Sequence, residues 1–317
     1  MNATLDHMTA ALNDCDENSP FLLENEAEYQ VWRARKLELR QQLDANLVLQ
    51  LDHTGGLSES QRAQARQQVS AFNFAIFQSA KEMSKLEFLA LNSQFGLQRL
   101  DSNLGADIDG VTSLRVVGEA DERAQYIPYT NRALNWHTDG YYNEPDRSID
   151  AFALYCVNQA LRGGGNCLFD HELLYILIRD QAPELLAALM AEDLMRIPPN
   201  IQANRVIRGE ASGPVFSILS GQRGLRMRYT SRPRYIVWKS DKRSQQALNL
   251  VREILMDSAA VIELRLENNQ GIVCNNILHG RQAFHDQAMQ PGRLIYRARF
   301  YDAINIDGDP AAASARV

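Results

Sequence analysis

The chain has 317 residues, of which 45% are hydrophobic and 23% charged, so it can bury one large core or two smaller ones. Its 39 acidic and 33 basic residues are mixed along the sequence and give a net charge of -6. Nucleic acid and anionic membranes are therefore poor partners, because both bind basic clusters and the sequence has none of the required size.

The first 96 residues are predicted to be mainly helical. Apolar residues recur at helical spacing after Ser19-Pro20, and Ser58 and Glu59 suit the first turn of a second helix. We expect residues 1–96 to form a helical region that packs on the core.

Short β-branched runs follow and predict a sheet-rich core over residues 97–302. The runs cover residues 149–157, 214–219, 261–267, 271–275 and 293–302. Helices are predicted between the runs, beginning near Asp170, Pro183 and Ser240. Three glycines at 163–165 match neither glycine motif of nucleotide-binding proteins. Residues 303–317 are small and polar, and we expect a loose tail.

The cysteines and the N-terminus indicate a cellular location. The four cysteines are far apart and form no CxxC pair, which argues against a disulfide framework and against a zinc knuckle. The first residues lack the pattern of a secretory signal, and no apolar run reaches about 18 residues. We therefore expect a soluble, cytoplasmic protein.

The stretch "LNWHTDGYYN", residues 134–143, places His137 and Asp139 on either side of Thr138. In a strand, residues i and i+2 point to the same face, so the imidazole and the carboxylate would lie side by side. By itself this pair is more typical of a turn than of a metal site. Among the remaining histidines, His279 is the best third ligand, because it follows a strand, an Asn/Gly turn and a second strand. Two histidines and one carboxylate form the facial triad of non-haem Fe(II) oxygenases.

Arginines repeat along the predicted strand "GRLIYRARFYDA". Arg293, Arg297 and Arg299 share one face of this strand with Ile295. A buried guanidinium needs an anion, and its planar fork matches a carboxylate. A dicarboxylate ligand would satisfy this requirement.

Four motifs together resemble the TauD/TfdA-type Fe(II)- and 2-oxoglutarate-dependent oxygenases. They are "HTDG", "GGGNCLF", "NNILHGRQAF" and "RLIYR", and they occur in that order within residues 111–302. The sequence is also distantly similar to glutarate hydroxylase, through "NN", "LHGR" and the "MRY" at 227–229.

The resemblance implies a fold and a set of site residues. The fold is a double-stranded β-helix, a cupin-like jelly roll that is mainly β, with N-terminal and inserted helices. His137, Asp139 and His279 would hold Fe(II), Arg293 would bind the distal carboxylate of 2-oxoglutarate, and Arg297 would face the cosubstrate or the substrate. Cys167 stands where the family commonly has a threonine beside that carboxylate. The presence of Asp139 disfavours halogenation, because halogenating relatives replace this carboxylate with a small residue.

The implied reaction is hydroxylation of an unactivated C–H bond with dioxygen, with release of succinate and carbon dioxide. The substrate would be a small molecule, anionic or similar to an amino acid, and Tyr141, Tyr142 and Arg228 are its predicted contacts. Two alternatives stay open at this point: a metal-binding jelly roll without turnover, and a metal-dependent hydrolase on a similar barrel. The oligomeric state and an oxidative outcome other than hydroxylation are not decided by the sequence.

Overall fold

A computed structural model describes residues 18–51, 56–102, 105–202, 205–219, 224–232, 236–286 and 291–306. Within these residues the chain forms six α-helices and nineteen β-strands. The helices are α1 (Glu26–Gln42), α2 (Glu59–Phe72), α3 (Lys85–Ser93), α4 (His171–Gln181), α5 (Pro183–Leu189) and α6 (Lys242–Asp257). The strands are β1 (Val48–Leu51), β2 (Phe74–Ser79), β3 (Thr112–Leu114), β4 (Leu134–His137), β5 (Ala151–Asn158), β6 (Arg162–Gly163), β7 (Asn166–Phe169), β8 (Met195–Ile197), β9 (Asn200–Gln202), β10 (Arg205–Arg208), β11 (Ala211–Gly213), β12 (Phe216–Ile218), β13 (Leu225–Met227), β14 (Val237–Trp238), β15 (Ile262–Leu264), β16 (Gln270–Asn275), β17 (Leu278–Arg281), β18 (Phe284–His285) and β19 (Leu294–Phe300).

The chain divides into two compact units. Among the described residues, the helical unit comprises those up to residue 39 and those within 171–258, and the barrel unit comprises those within 40–170 and those from residue 259 onwards. The division predicted from the sequence, with boundaries at 96 and 302, remains a proposal. The described part of the N-terminal region contains α1, α2 and α3, as its helical pattern predicts, but also β1 and β2, which belong to the large sheet of the barrel unit.

The barrel unit contains two sheets that together form the predicted jelly roll. The larger has the order β1-β2-β16-β5-β19-β3, and the smaller has the order β15-β7-β17-β4. Apart from the parallel pair β1-β2, the strands of both sheets pair antiparallel. Side chains of the two sheets meet, since the ring of Phe152 on β5 lies 4.4 Å from that of His279 on β17.

The register of β19 against β5 decides which side chains face the smaller sheet. Arg299 pairs with Phe152, and Arg297 pairs with Leu154. Cross-strand partners share a face, and Phe152 contacts His279. The arginines of β19 therefore line the inside of the jelly roll.

Local capping explains how α2 leads into the large sheet. Ser58 caps α2 and exchanges hydrogen bonds with Gln61, which is the capping box expected of a serine before a helix. The helix ends at Asn73, whose φ of 60° reverses the chain into β2. The Asn73 amide donates to Asp170 over 2.8 Å and accepts from Asn275 over 2.8 Å, which fixes this turn against two other segments of the barrel unit.

The helical unit holds α4, α5, α6 and most of α1 together with three small sheets. Pro183 is the first residue of α5, as predicted, whereas α6 is capped by Asp241 and begins two residues after Ser240. Among the helices of the described chain, none combines the length and the apolar character needed to cross a bilayer.

The end of the described chain is anchored rather than loose. The backbone N–H of Ile304 donates to the side chain of Asn275 over 3.0 Å, and that of Asn305 donates to the carbonyl of Phe95 over 2.8 Å. The rest of the predicted tail, residues 307–317, lies outside the described residues.

Candidate metal centre

His137 and His279 lie opposite each other on the neighbouring strands β4 and β17. Their ring centroids are 4.2 Å apart. Asp139 is close to both, because one potential ligand atom from each of the three residues lies within 4.8 Å of the other two. All three side chains are buried. The structure thus brings together the triad that the sequence predicted.

Asp139 is positioned by an asparagine, since β4 ends at His137 and the carboxylate lies in the following turn. The backbone N–H of Asp139 donates to Oδ1 of Asn276 over 2.8 Å. The Asn276 amide in turn donates to the carbonyls of Asp139 and Ile149, over 2.8 and 2.7 Å. Asn276 was not predicted to have a role, although it is the second asparagine of the "NN" motif.

The two imidazoles have the same orientation, with one ring nitrogen directed to the backbone. Nδ1 of His137 is 2.9 Å from the carbonyl of Asn135, and Nδ1 of His279 is 3.0 Å from that of Ile277. A carbonyl accepts only, so Nδ1 carries the proton when the ring is neutral. The lone pair on Nε2 is then available to a metal.

Burial and neighbouring charges set the protonation of the triad. Burial, reinforced by the nearby His279, lowers the pKa of His137 to about 3, and burial also lowers that of His279. Burial acts to raise the pKa of Asp139, but the positive charges of Arg297 and Arg299 outweigh it and leave this pKa well below its usual range. At neutral pH the triad is therefore two neutral imidazoles and one carboxylate, which is the protonation state that binds a metal.

Only one of the two carboxylate oxygens of Asp139 has a hydrogen-bond partner among the described residues. Its Oδ1 accepts from Nη1 of Arg297 over 3.2 Å, while its Oδ2 is buried and has no hydrogen-bond partner among the described residues. An unpaired buried carboxylate oxygen is costly unless a cation binds it. Two nitrogen donors and one oxygen donor suit a non-haem Fe(II) ion, so the residues present fit that metal.

Arg299 has a buried partner of its own. Its guanidinium forms an ion pair with Asp101 and donates to the hydroxyl of Tyr142 over 3.1 Å. Tyr141 packs edge-on against Tyr142, with ring centroids 5.2 Å apart. Tyr142 therefore bonds to the arginine beside the triad, and the predicted contact of both tyrosines with substrate remains a proposal. Asp101 was not predicted, because nothing in the sequence indicates that it meets β19.

Arg293 lies at the other end of the same strand without such a partner. It is 5% exposed and makes neither a hydrogen bond nor an ion pair with any residue that the structure describes. Its guanidinium carbon stands 5.1 Å from the ring centre of Phe284. Burial lowers its pKa to about 10. A Cβ on Gly164 would lie 3.3 Å from Nε of Arg293, so a glycine there leaves room for the guanidinium.

A small cavity adjoins Arg293 inside the barrel unit. Its lining includes Arg265 and Cys156 as well as Asn166. Cys167 is absent from this lining, and the strand register explains why: His279 pairs with Leu168, whereas Cys167 pairs with Gly280. Neighbours along a strand point to opposite faces, so Cys167 lies on the face opposite His279, and nothing in this register supports its predicted part in cosubstrate binding. Asn166, one residue earlier, lines the cavity instead.

Arg228 belongs to the helical unit, where it follows β13. It is half-buried, and its backbone N–H donates to the carbonyl of Val215 over 2.8 Å. Burial lowers the pKa of its guanidinium to about 10. Its predicted contact with substrate stays a prediction.

Comparison with known proteins gives two kinds of match. The family model described as "Taurine catabolism dioxygenase TauD, TfdA family" matches residues 35–299. A uridine-5'-phosphate dioxygenase from a Streptomyces species is 28% identical over 244 residues, which cover 73% of this chain and 86% of the relative.

Solved structures agree with the fold. The non-haem iron oxygenase OrfP, in complex with Fe, succinate and (3S)-hydroxy-L-Arg, superposes with a TM-score of 0.57 over 87% of this chain and 92% of its own, at 14% identity. An asparagine oxygenase in complex with Fe(II), 3-hydroxyasparagine and succinate gives a TM-score of 0.53 over 80% and 93%, at 15% identity. At these identities the likeness establishes the jelly-roll fold alone.

Proposed function

Since the chain belongs to the TauD, TfdA family of dioxygenases, we propose that His137, Asp139 and His279 hold its iron and that Arg293 binds the distal carboxylate of 2-oxoglutarate. The enzyme uses Fe(II), 2-oxoglutarate and dioxygen to hydroxylate a small molecule. The observation that carries the site assignment is the buried Oδ2 of Asp139, which has no hydrogen-bond partner among the described residues and lies beside two imidazoles. A non-catalytic barrel and a hydrolase are set aside, because the family consists of dioxygenases.

The residues of the site have separate tasks. Iron, when bound, supplies the oxidising power that no side chain has. The two imidazoles present Nε2, because the backbone carbonyls of Asn135 and Ile277 hold their Nδ1 protons. Asp139 is negatively charged at neutral pH. Asn276 hydrogen-bonds to the backbone of Asp139 and thereby keeps its carboxylate beside the imidazoles.

Arg293 is the proposed anchor for the cosubstrate. It is buried with no carboxylate at ion-pair distance among the described residues, although the charge of Asp286 acts on it from further away. A guanidinium in that state gains most from a bidentate carboxylate. Gly164 allows the close approach of its side chain, and Phe284 packs against its face. A dicarboxylate bound here would extend from the start of β19 along the inner face towards the triad.

We further propose that the substrate is a small anion, with nucleoside 5'-monophosphates as the first class to test. Arg297 supports this class, because its Nη1 contacts Asp139 while its buried Nε has no partner among the described residues. The uridine-5'-phosphate dioxygenase relative acts on a phosphate ester and is matched over most of its length. A cytoplasmic location is part of this proposal and is supported by Cys156, Cys167 and Cys274, which are free thiols.

The first experiment tests the site. Protein is loaded anaerobically with Fe(II) and 2-oxoglutarate, the weak visible absorption of the complex is recorded, and dioxygen is then admitted and succinate measured. We expect the absorption and succinate formation in the wild type and neither in His137→Ala. His285→Ala is the matched control, because His285 is exposed and lies outside the triad. Absorption that persists unchanged in His137→Ala would refute the assignment.

The second experiment tests the substrate class. Release of succinate is compared with and without uridine 5'-monophosphate, other nucleoside monophosphates, uridine, L-asparagine and L-arginine. We expect stimulation by a phosphorylated compound but not by uridine itself. Stimulation confined to the amino acids would contradict the anionic class while leaving the iron assignment intact.

A further inference from the structure

Arg281, two residues after the proposed ligand His279, is a buried arginine with no part in the metal binding or cosubstrate binding proposed above. Arg281 is 6% exposed and forms no ion pair with any carboxylate in the described part of the chain. Burial lowers the pKa of its guanidinium to about 9. A buried cation without a counter-ion has to be solvated by dipoles instead.

Carbonyl oxygens of one short segment solvate Arg281. We call residues 127–132 the lead-in segment, because they directly precede β4. Nη2 of Arg281 donates to the carbonyls of Arg132 and Thr130 over 2.6 and 2.8 Å, and Nη1 donates to that of Pro128 over 3.3 Å. A single side chain thus binds three alternate carbonyl groups of the same segment, those of residues 128, 130 and 132.

The pairing of β4 with β17 is interrupted at this point. His279 pairs with His137, but Arg281 pairs with Leu134, so three steps along β4 correspond to two along β17. Such a bulge breaks the regular ladder of hydrogen bonds. Gly280 makes the bulge possible, since a Cβ there would lie 2.9 Å from the carbonyl oxygen of Leu134.

We propose that Arg281 is a positioning residue that sets the geometry of the His137–His279 pair by binding the lead-in segment across this bulge. Because the ladder is interrupted next to the two histidines, the carbonyl bonds of Arg281 supply the attachment that regular pairing lacks. Phe284, three residues further on, adds a backbone bond to Asn131 of the same segment over 3.0 Å. The inference rests on the proposed function, since it assumes that the two histidines hold a metal.

The lead-in segment is followed closely by β4, which ends at His137. The ring centre of Tyr129, within the segment, stands 5.2 Å from the guanidinium carbon of Arg123. The Tyr129 hydroxyl is fixed by donating to the carbonyl of Gly105 over 2.7 Å. Movement of the segment is therefore expected to disturb the metal site rather than a distant surface.

Arg179 provides a matched control for general loss of stability. It is 5% exposed and donates to the carbonyls of Pro20, Leu22 and Leu23, as Arg281 does to those of the lead-in segment. Unlike Arg281 it also pairs with Glu26 over 3.2 Å, so its loss should cost at least as much stability. It belongs to the helical unit, which contains none of the three proposed ligands. Replacing either arginine removes a buried guanidinium and several carbonyl bonds.

The test is anaerobic titration with Co(II) alone, a spectroscopic substitute for Fe(II), of wild type, Arg281→Met, Arg281→Lys and Arg179→Met. The readouts are the Kd and the visible absorption of bound Co(II), with circular dichroism as the check on folding. We expect Arg281→Met to weaken Co(II) binding about ten-fold and to change the absorption, as loss of a residue that orients a ligand does. Arg281→Lys should show a smaller change, and Arg179→Met should match the wild type in both readouts.

The outcomes separate this inference from the proposed function. Absence of Co(II) binding in the wild type contradicts the proposed function itself. Normal affinity and spectrum in both Arg281 variants overturn the positioning role, as does equal weakening in Arg179→Met. If Arg281→Met does not fold, Gly280→Ala tests the same bulge independently and should also weaken Co(II) binding; an unchanged Kd there counts against the proposal.

Discussion

The two ends of β19 carry buried arginines with opposite electrostatic surroundings. Arg299 is 3% exposed and has Asp101 as its ion-pair partner, with Tyr142 as a further acceptor. Arg293 is 5% exposed and has no ion-pair or hydrogen-bond partner among the described residues. The same residue type therefore has a direct carboxylate partner at one end, whereas at the other the described residues offer only the longer-range charge of Asp286.

This difference separates a structural arginine from one that awaits a ligand. Removing a guanidinium from water costs several kcal/mol, which an internal carboxylate offsets for Arg299. For Arg293 the distant charge of Asp286 offsets only part of that cost, and an anion that binds from outside can offset the rest. The two ends should therefore respond in opposite ways to substitution.

The largest effect is expected at the neutralised end. Asp101→Asn leaves Arg299 buried beside an uncharged amide, and breaking a buried pair in this way typically costs about 3 kcal/mol of unfolding free energy. Urea unfolding followed by circular dichroism measures this loss. Asp193→Asn is the control, because the exposed Asp193–Lys239 pair should contribute less than about 1 kcal/mol. Equal losses in the two variants would show that burial does not distinguish the pairs.

At the open end, Arg293→Met is expected to separate stability from binding. The ligand-free protein should be about as stable as the wild type, because the substitution removes a costly buried charge that has no direct ion pair among the described residues. Affinity for 2-oxoglutarate should fall about 100-fold, which corresponds to about 3 kcal/mol for a charge-assisted bond. Anaerobic titration of the Fe(II) protein measures the affinity. A loss of stability as large as that of Asp101→Asn would mean that Arg293 has an internal partner.

The buried histidine pair should appear in the pH dependence of stability. The pKa of folded His137 is about 3, below the 6.5 of an ordinary histidine, and that of His279 is also lowered. As pH falls below about 6.5, the unfolded chain therefore binds protons that the folded chain does not. The unfolding free energy of the metal-free protein should fall towards acid, by up to about 1.4 kcal/mol per pH unit for each histidine.

Urea unfolding in the presence of a chelator between pH 7 and pH 5 checks this slope. His137→Asn should make it shallower, while the exposed His285→Asn should leave it unchanged. The depressed pKa of Asp139 acts in the same direction but only below about pH 4, the ordinary range of a carboxyl group. An unaltered slope in His137→Asn would mean that this histidine is protonated in the folded state.

The smallest effects concern the two neighbours on β7. Asn166 lines the cavity beside Arg293, so Asn166→Ala should weaken 2-oxoglutarate binding about five-fold, equivalent to about 1 kcal/mol for a lost hydrogen bond. Cys167→Ala should leave the affinity unchanged, because Cys167 lies on the opposite face of the strand. The same anaerobic titration compares them, and a reversed order of the two effects would contradict the register argument.

Much of the jelly roll was predictable because the apolar, β-branched runs of the sequence are the strands that the fold buries. The runs at 149–157, 271–275 and 293–302 became β5, β16 and β19, since buried strands are recognisable from their apolar and β-branched residues. Strands β1 and β2 were missed because helices surround them. The place of β2 in the large sheet depends on pairing with β16, almost 200 residues away in the chain, and β1 in turn pairs with β2.

The sequence by itself determined the chemistry of the centre: the residue types of the triad, their order, and the arginine-bearing face of β19. These follow from side-chain periodicity and from the donors that a metal or a carboxylate requires. Only the tertiary structure decided which neighbours act on them. Asn276 binds the backbone of Asp139, and Asp101 pairs directly with Arg299, whereas no described carboxylate pairs directly with Arg293. Cys167 lies on the strand face opposite His279. Those outcomes depend on strand register and on contacts between distant segments, because a shift of one residue reverses the face of every side chain in a strand.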